Sequence, residues 1–258
     1  MRSAWQGVGN IVRFNWHFYA AAAAGVALAL ALGYALGGWW LVVGWCVAFG
    51  TVATTLVSLV VSWYVYDRSG LYRLDWLPDL PAGVRIVNIN AGFDETSALL
   101  QRRYPEADLT VLDFYDPARH PEVSIERARR AYPPYPGTRS VATDDLPLPA
   151  GGADAVFLVL AAHEIRDDDE RAVFFGSLGT ALRPGGRIYV VEHLRDLPNF
   201  FAYSLGAFHF LPYADWALTF SRAGLAWVGE RKLNPFVSLF TLARTPPAAL
   251  SPPDGSTP

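Results

Sequence analysis

The chain has one cysteine, Cys46, among 258 residues, so no intramolecular disulfide can form. That usage suits a cytoplasmic setting for the bulk of the protein. A basic surplus is also missing. The formal net charge is −3, which excludes the electrostatic footprint of a nucleic-acid-binding surface. From Phe14 to Tyr66 there is no Asp, Glu, Lys or Arg at all. No internal repeat is visible. Finally, "VNINAGFDETSALL", residues 87–100, runs from an apolar strand through a turn into a helix with a single glycine, Gly92. Loops that cradle a nucleotide at such a corner carry two or three.

Hydrophobic residues make up 52% of the chain, and the uncharged stretch concentrates them. A bilayer-spanning helix takes roughly 20 apolar residues. Two such spans fit, about 16–36 and 39–64, broken at Gly37-Gly38. Trp16, Phe18 and Tyr19 open the first, Trp39 and Trp40 stand at the break, and Trp63, Tyr64 and Tyr66 close the second. Aromatics at span ends fit interfacial belts. Arg2 and Arg13 precede the spans, Arg68, Arg73 and Arg85 follow them, and the break carries none. The positive-inside rule then places both ends in the cytoplasm. The expectation is a cytoplasmic N-terminus (1–13), a transmembrane helical hairpin (14–66) in the inner membrane, and a cytoplasmic domain hanging from it. One competing reading is a cleaved signal peptide, which the second apolar run argues against. The other is a buried helical pair inside a soluble fold.

Residues 67–83, "DRSGLYRLDWLPDLPAG", read as a juxtamembrane linker whose Leu71, Tyr72, Leu74, Trp76, Leu77 and Leu80 lie along the headgroup layer. From Val84, short apolar runs alternate with helical segments. Strands are expected at 85–90, 109–115, 140–143, 154–161 and 187–193, and helices at 94–104 (N-cap Asp94), 121–131 and 168–182, the last ending at "RPGG". A helix over 213–223 and two strands, 225–233 and 237–244, follow. Their short connection, "NPF", implies an antiparallel hairpin. Residues 246–258 are Pro/Ser-rich and read as a disordered tail.

Strand–helix alternation implies a parallel sheet with helices on both faces. Ligands in such sheets bind beyond the carboxyl ends of the strands, at the switch in strand order. Those ends offer Asn88, Asn90, Ala91 and Gly92, then Asp113, Asp144 and Asp145, His163 and Glu164, and Glu192 and His193. Asp113 stands 21 positions after Gly92 at the end of the next strand, where a carboxylate accepts hydrogen bonds from both ribose hydroxyls. Its alternative role is to terminate the strand.

Over about Val84 to Arg244 the chain resembles the class I S-adenosylmethionine-dependent methyltransferases. The block "DAVFLVLAAHEIRDDDERAVFFGSLGTALRPGGRIYVVEH" carries the resemblance, with "LPLPAGGADAV" before it and the terminal hairpin after it. The resemblance implies a doubly wound, Rossmann-like, seven-stranded α/β sheet, mostly parallel with a reversed last strand, over residues 84–245. It implies S-adenosylmethionine as cofactor. The family's first motif, acid–apolar–Gly-x-Gly-x-Gly, falls on Asn88, Asn90, Gly92 and Asp94, so only the middle glycine is kept. Asn90 is the mildest change because Asn tolerates positive φ. Asn88 hydrogen-bonds but cannot neutralise the ligand's ammonium, a charge Asp94 is placed to supply. The implied cofactor residues are Asn88, Asn90, Ala91, Gly92, Asp113 and, at the adenine, Asp144, whose alternative is a surface loop carboxylate.

His163 and His193, at neighbouring strand ends, are candidate catalytic bases for a methyl acceptor's hydroxyl. Their alternative is a strand-end polar residue satisfied by backbone. Spacing among His163, His193, His209 and Glu192 is too loose to predict a metal site, and none is expected. "LPNFFAYSLGAFHFLPYADW", residues 197–216, holds four Phe, two Tyr and one Trp, an aromatic roof for an apolar acceptor or else a core helix. The leading expectation is a membrane-anchored methyltransferase for a lipophilic small molecule: a quinone precursor, a lipid or an aromatic metabolite. The alternative is a tethered methyltransferase-like module that binds without catalysis. A nicotinamide-dependent oxidoreductase is disfavoured by the single glycine and the terminal hairpin.

Overall fold

The computed structural model describes residues 3–120 and 122–245. The expected tail, 246–258, and Pro121 at the start of one expected helix lie outside them. Helix α1 (Gln6–Phe14) precedes the two long apolar helices, α2 (Trp16–Leu36) and α3 (Trp39–Trp63). Gly37 and Gly38 both take positive φ, 65° and 55°, the backbone state that lets the chain reverse between them. Gly33 and Gly44 let α2 and α3 approach closely. A Cβ at Gly44 would stand 2.7 Å from the Ala29 carbonyl oxygen. Both helices are long and apolar enough to cross a membrane.

The seven-stranded sheet comprises β1 (Arg85–Asn90), β2 (Asp108–Asp113), β3 (Arg139–Ser140), β4 (Ala153–Val159), β5 (Leu182–His193), β6 (Leu225–Asn234) and β7 (Val237–Arg244), in the order β3-β2-β1-β4-β5-β7-β6. The pairings from β3 through β5 are parallel, and β7 runs antiparallel to both β5 and β6. Strand order switches between β1 and β4. β5 begins earlier than the sequence pattern suggests, because Leu182 already pairs with Ala153 and the Pro-Gly-Gly turn is absorbed as a register shift. A Cβ on Gly186 would sit 3.0 Å from the Ala153 carbonyl oxygen, so the bulge needs glycine there.

Alternation along β1 splits the core. Val87 and Ile89 face one layer, where α6 (Asp168–Ala181) and α8 (Tyr213–Arg222) bury Phe174, Phe175, Leu178, Trp216 and Phe220. Asp167 caps α6, accepting from the N–H groups of Asp169 and Glu170. Ile86 faces the other layer, against Leu100 of α4 (Ser97–Arg103) and a segment the sequence pattern places elsewhere. Leu71, Leu74, Trp76 and Leu77 do not lie along a headgroup layer. They are buried on the sheet with Phe157, Tyr189 and Val191. The open face of a sheet that needs a second layer explains the correction. Residues 6–14 likewise form more than a terminal extension. Asp67, on a π-helical turn that ends α3 (Tyr64–Arg68), accepts from the N–H groups of Gly7 and Val8 at 2.7 and 2.9 Å. This folds α1 back over the carboxyl edge of the sheet, against α5 (Val123–Ala131).

Candidate active site

The carboxyl ends of β1 and β4 open on a cavity of about 330 Å³. Its floor is Asn90, Ala91, Leu160 and Ala161, and its roof is Asn10, Ile11 and Phe14 of α1 with Ile125 and Ala128 of α5. Tyr66, Tyr72 and Glu95 complete the wall together with His163, Glu164, His193, His209 and Phe210. Phe14, Phe93 and Tyr132 seal the roof in edge and tilted ring contacts, and the Tyr132 hydroxyl donates to Asn10 at 2.9 Å. Leu160 holds φ 53°, a state costly for a non-glycine residue, immediately before the short helical turn (Ala162–Glu164) that presents His163.

The expected cofactor residues separate. Ala91 and Asn90 line the cavity. Asn90 has no positive φ, so the tolerance expected of it is unused. Its Oδ1 accepts from the Gly92 N–H at 3.0 Å instead. Gly92 does take φ 97°, and a Cβ there would stand 2.9 Å from Tyr115 Cγ. Asn88 lies outside the cavity. It faces the α4 layer, fully buried, donating to Thr96 Oγ1 at 2.9 Å and Ser97 Oγ at 2.7 Å. Asp94 Oδ1 accepts from the N–H groups of Thr96 and Ser97 at the start of α4, while its Oδ2 is buried without a hydrogen-bond partner. α4 begins at Ser97, three residues later than the sequence suggests, because those two N–H groups are capped by the side chain of Asp94 rather than by helical turns.

Asp113 is buried at the end of β2. Its Oδ1 accepts from the Tyr115 N–H at 2.9 Å and its Oδ2 is ion-paired with Arg129 Nη1. Arg129 also reaches the Gly92 carbonyl and lies over the Tyr115 ring, 4.7 Å from its centroid. Arg127, also on α5, turns inward to the Phe14 carbonyl and His17. Beyond Arg129 lies a separate groove of about 390 Å³ between Phe114, Tyr115, Ala142, Thr143 and Asp144. Asp144 is exposed there and does not reach the cavity. Asp113 and Arg129 line neither of these two hollows; with Asn90, Gly92 and Asp94 they line a third and smaller one of about 70 Å³.

The two histidines differ in charge. His163 Nδ1 lies 2.6 Å from Glu192 Oε2, and Nε2 lies 3.2 Å from Glu164 Oε1. Burial opposes its charge, but Glu192 and Glu164 together overcome it and push its pKa up to about 10. Burial would raise Glu164 too, yet hydrogen bonds from His163 and His209 hold it well below the usual carboxylate range. A ring charged at neutral pH has no lone pair for a substrate proton. His193 is the opposite case. Burial pushes its pKa down to about 4, against the partly opposing Asn199 contact and with the His163 charge adding to the fall. Its Nδ1 faces the Asn199 Oδ1 and Phe236 carbonyl oxygens at 3.1 and 2.9 Å, so the proton sits there. Nε2 then accepts from the Tyr66 hydroxyl at 2.9 Å. Phe210 stacks on the ring at 4.7 Å. Sequence reasoning misses Tyr66, Glu95 and the α1 residues, and weighs His209 only as a metal ligand. Only Glu95 stands in a motif that marks it, four residues from Ala91 in the loop after β1.

No family profile matches the chain. A malonyl-[acyl-carrier protein] O-methyltransferase from Laribacter hongkongensis is 30% identical over 173 residues, covering 63% of this chain and 56% of that protein. The chain thus spans little more than half the length of that curated relative. A geranyl diphosphate C-methyltransferase from Streptomyces coelicolor, crystallised with Mg2+, geranyl diphosphate and S-adenosyl-L-homocysteine, superposes with a TM-score of 0.50 at 11% identity. The match covers 72% of this chain and 82% of that one. The [4+2]-cyclase SpnF superposes with a TM-score of 0.51 at 13% identity, over 69% of this chain and 82% of the other. One sheet therefore carries both a methyltransferase and a cyclase, so activity must be argued from the site.

Proposed function

We propose that this chain, which has the class I methyltransferase fold, is a membrane-anchored S-adenosylmethionine-dependent methyltransferase for a lipophilic small molecule. The observation that carries the reading is the cavity at the β1/β4 switch point together with the groove beyond Asp113. About 330 Å³ is the lower end of the range for one small-molecule site, roughly 300–1,000 Å³. A cofactor spanning cavity and groove leaves room above Ala91 for an acceptor. In this reading Glu95 supplies the charge for the methionine ammonium that Asn88 lacks. Asp113 takes the ribose hydroxyls once Arg129 swings outward, and the adenine enters the groove beside Phe114 and Ala142. Methyl transfer is an in-line displacement that positioning alone accelerates strongly. Where the acceptor must lose a proton, the neutral His193, working through the Tyr66 hydroxyl, is the group with a free proton site. His163 contributes charge rather than basicity.

The apolar acceptor follows from the surface around the cavity. Leu197 and Phe201 of α7 (Leu197–Tyr203), with Leu205 and Phe208 after it, are exposed, and α7 packs beside α3. Contiguous exposed apolar surface beside two bilayer-length helices suits burial in lipid, with both chain ends in the cytoplasm. The anchor comprises α2 and α3, with α1, the turn that carries Tyr66 and residues 67–83 belonging to the catalytic layer that continues to residue 245. Incubating the detergent-solubilised protein and membrane lipid extract with methyl-labelled S-adenosylmethionine tests the reading. Label should pass into an organic-soluble product. The second reading, a binding module without catalysis, rests on the Arg129–Asp113 pair. It predicts retained cofactor and no labelled product.

A further inference from the structure

Two histidines that are far apart in sequence converge on one carboxylate in the cavity wall. The ring nitrogens of His163 and His209 and a carboxylate oxygen of Glu164 lie within 4.8 Å of one another. Glu164 Oε1 stands 3.2 Å from His163 Nε2 and 3.4 Å from His209 Nε2. Those separations match the spacing of ligand atoms around a cation with bonds of about 2.0–2.2 Å. The opposite nitrogens are also engaged. His163 Nδ1 meets Glu192 at 2.6 Å, and His209 Nδ1 meets Glu122 at 3.2 Å. Carboxylates behind both imidazoles, with the Nε2 atoms turned inward, form the arrangement that orients histidines as metal ligands. Glu192 is itself fixed, its Oε1 accepting from the N–H groups of Ala162 and His163.

We propose that His163, Glu164 and His209 form a divalent transition-metal site in the wall of the cavity, with its remaining coordination positions open to the bound acceptor. Two imidazoles and one carboxylate select a borderline cation of the zinc, cobalt or iron class over magnesium or calcium, which take mainly oxygen ligands. As a ligand His163 offers the lone pair of Nε2 while its Nδ1 donates to Glu192 Oε2. Arg166 and Arg119 stand at the rim. The exposed Arg166 side chain donates from Nη1 to the His209 carbonyl, and its Nη2 lies 2.7 Å from His209 Nδ1 and 3.0 Å from Nε2, so it must withdraw before a cation binds. The site does not depend on the methyltransferase reading. What rests on that reading is the role of the open positions, which would hold an oxygen of the acceptor.

The test uses the full chain in detergent, without a polyhistidine tag and stripped with a chelator, titrated with Co2+ and with Zn2+ in competition. One equivalent should bind, with ligand-field absorption from Co2+ that Zn2+ abolishes. His209→Ala and Glu164→Gln should each weaken binding about tenfold or more, and Glu192→Gln about 10- to 100-fold. Cys46→Ser should bind as the wild type does. His209 is partly exposed on a short surface helical turn, so His209→Ala is the variant expected to fold without loss, checked by its thermal melt. Absence of stoichiometric binding by the wild type, or unchanged affinity in folded His209→Ala, overturns the proposal. Calorimetry with S-adenosylmethionine on the same samples separates the two claims. Cofactor binding without metal binding sinks only the metal site, and metal binding without cofactor binding sinks only the methyltransferase reading.

Discussion

Replacing Arg129 with Ala should tighten binding of S-adenosylmethionine. Arg129 occupies the Asp113 oxygen that a ribose would need, in a small hollow the two residues share with Gly92. A ligand must break that pair before it binds, which lowers apparent affinity by the fraction of chains already open. The Asp113 side chain is 6% exposed but that of Arg129 is 36% exposed, so solvent screens the pair from one side. Its net worth is then about 1–2 kcal/mol, between a surface pair and a buried charged hydrogen bond. Removing it corresponds to a gain of about 5- to 30-fold in affinity. The unliganded variant should also melt at lower temperature, since Asp113 is left buried with one partner fewer, and ligand should raise that temperature more than in the wild type. Titration calorimetry and thermal melts of the two proteins in the same detergent measure both effects. Unchanged or weaker binding in Arg129→Ala would show that the guanidinium holds the ligand rather than excluding it.

Asp67→Ala removes the acceptor of two N–H groups at the start of α1 and should release the cavity roof. Amide exchange over residues 6–14 is expected to rise while that of β4 and β5 stays protected. Gly92→Ala forces a side chain into φ 97° and against Tyr115, and should cost about 1–3 kcal/mol of stability, read from the melt. His193 carries a folded pKa of about 4 against an ordinary value of 6.5. The unfolded chain therefore binds more protons between those values, and stability should fall as pH drops from about 6.5 toward 4. Melts of His193→Gln across that interval should show a shallower acid limb, and an identical limb would contradict the assignment.

The sheet was legible because its central strands are mostly apolar runs buried on both faces, and the Pro-Gly-Gly turn and terminal hairpin mark the reversed strand. The two long helices were legible from the missing charge. What local pattern could not show is how distant segments share one wall. Leu71 to Leu77 reads as an amphipathic surface strip, and only the unfilled face of the sheet draws it inward. Asn88 occupies the motif's acid position, yet the side-chain alternation of β1 turns it toward α4 and away from the cavity. His209 lies within the aromatic 197–216 segment at no recognisable ligand spacing, and meets Glu164 only because the turn Ser204–His209 reaches the end of β4. The opposite pKa shifts of His163 and His193 come from burial and from the carboxylates beside His163, which sequence spacing does not encode.

The most direct measurement is titration of the detergent-solubilised full chain with S-adenosylmethionine, beside an Asp113→Ala variant. A cavity and groove joined through Asp113 predict saturable heat at one site in the wild type and its loss in the variant. No heat at millimolar ligand, or equal binding by Asp113→Ala, would contradict the account.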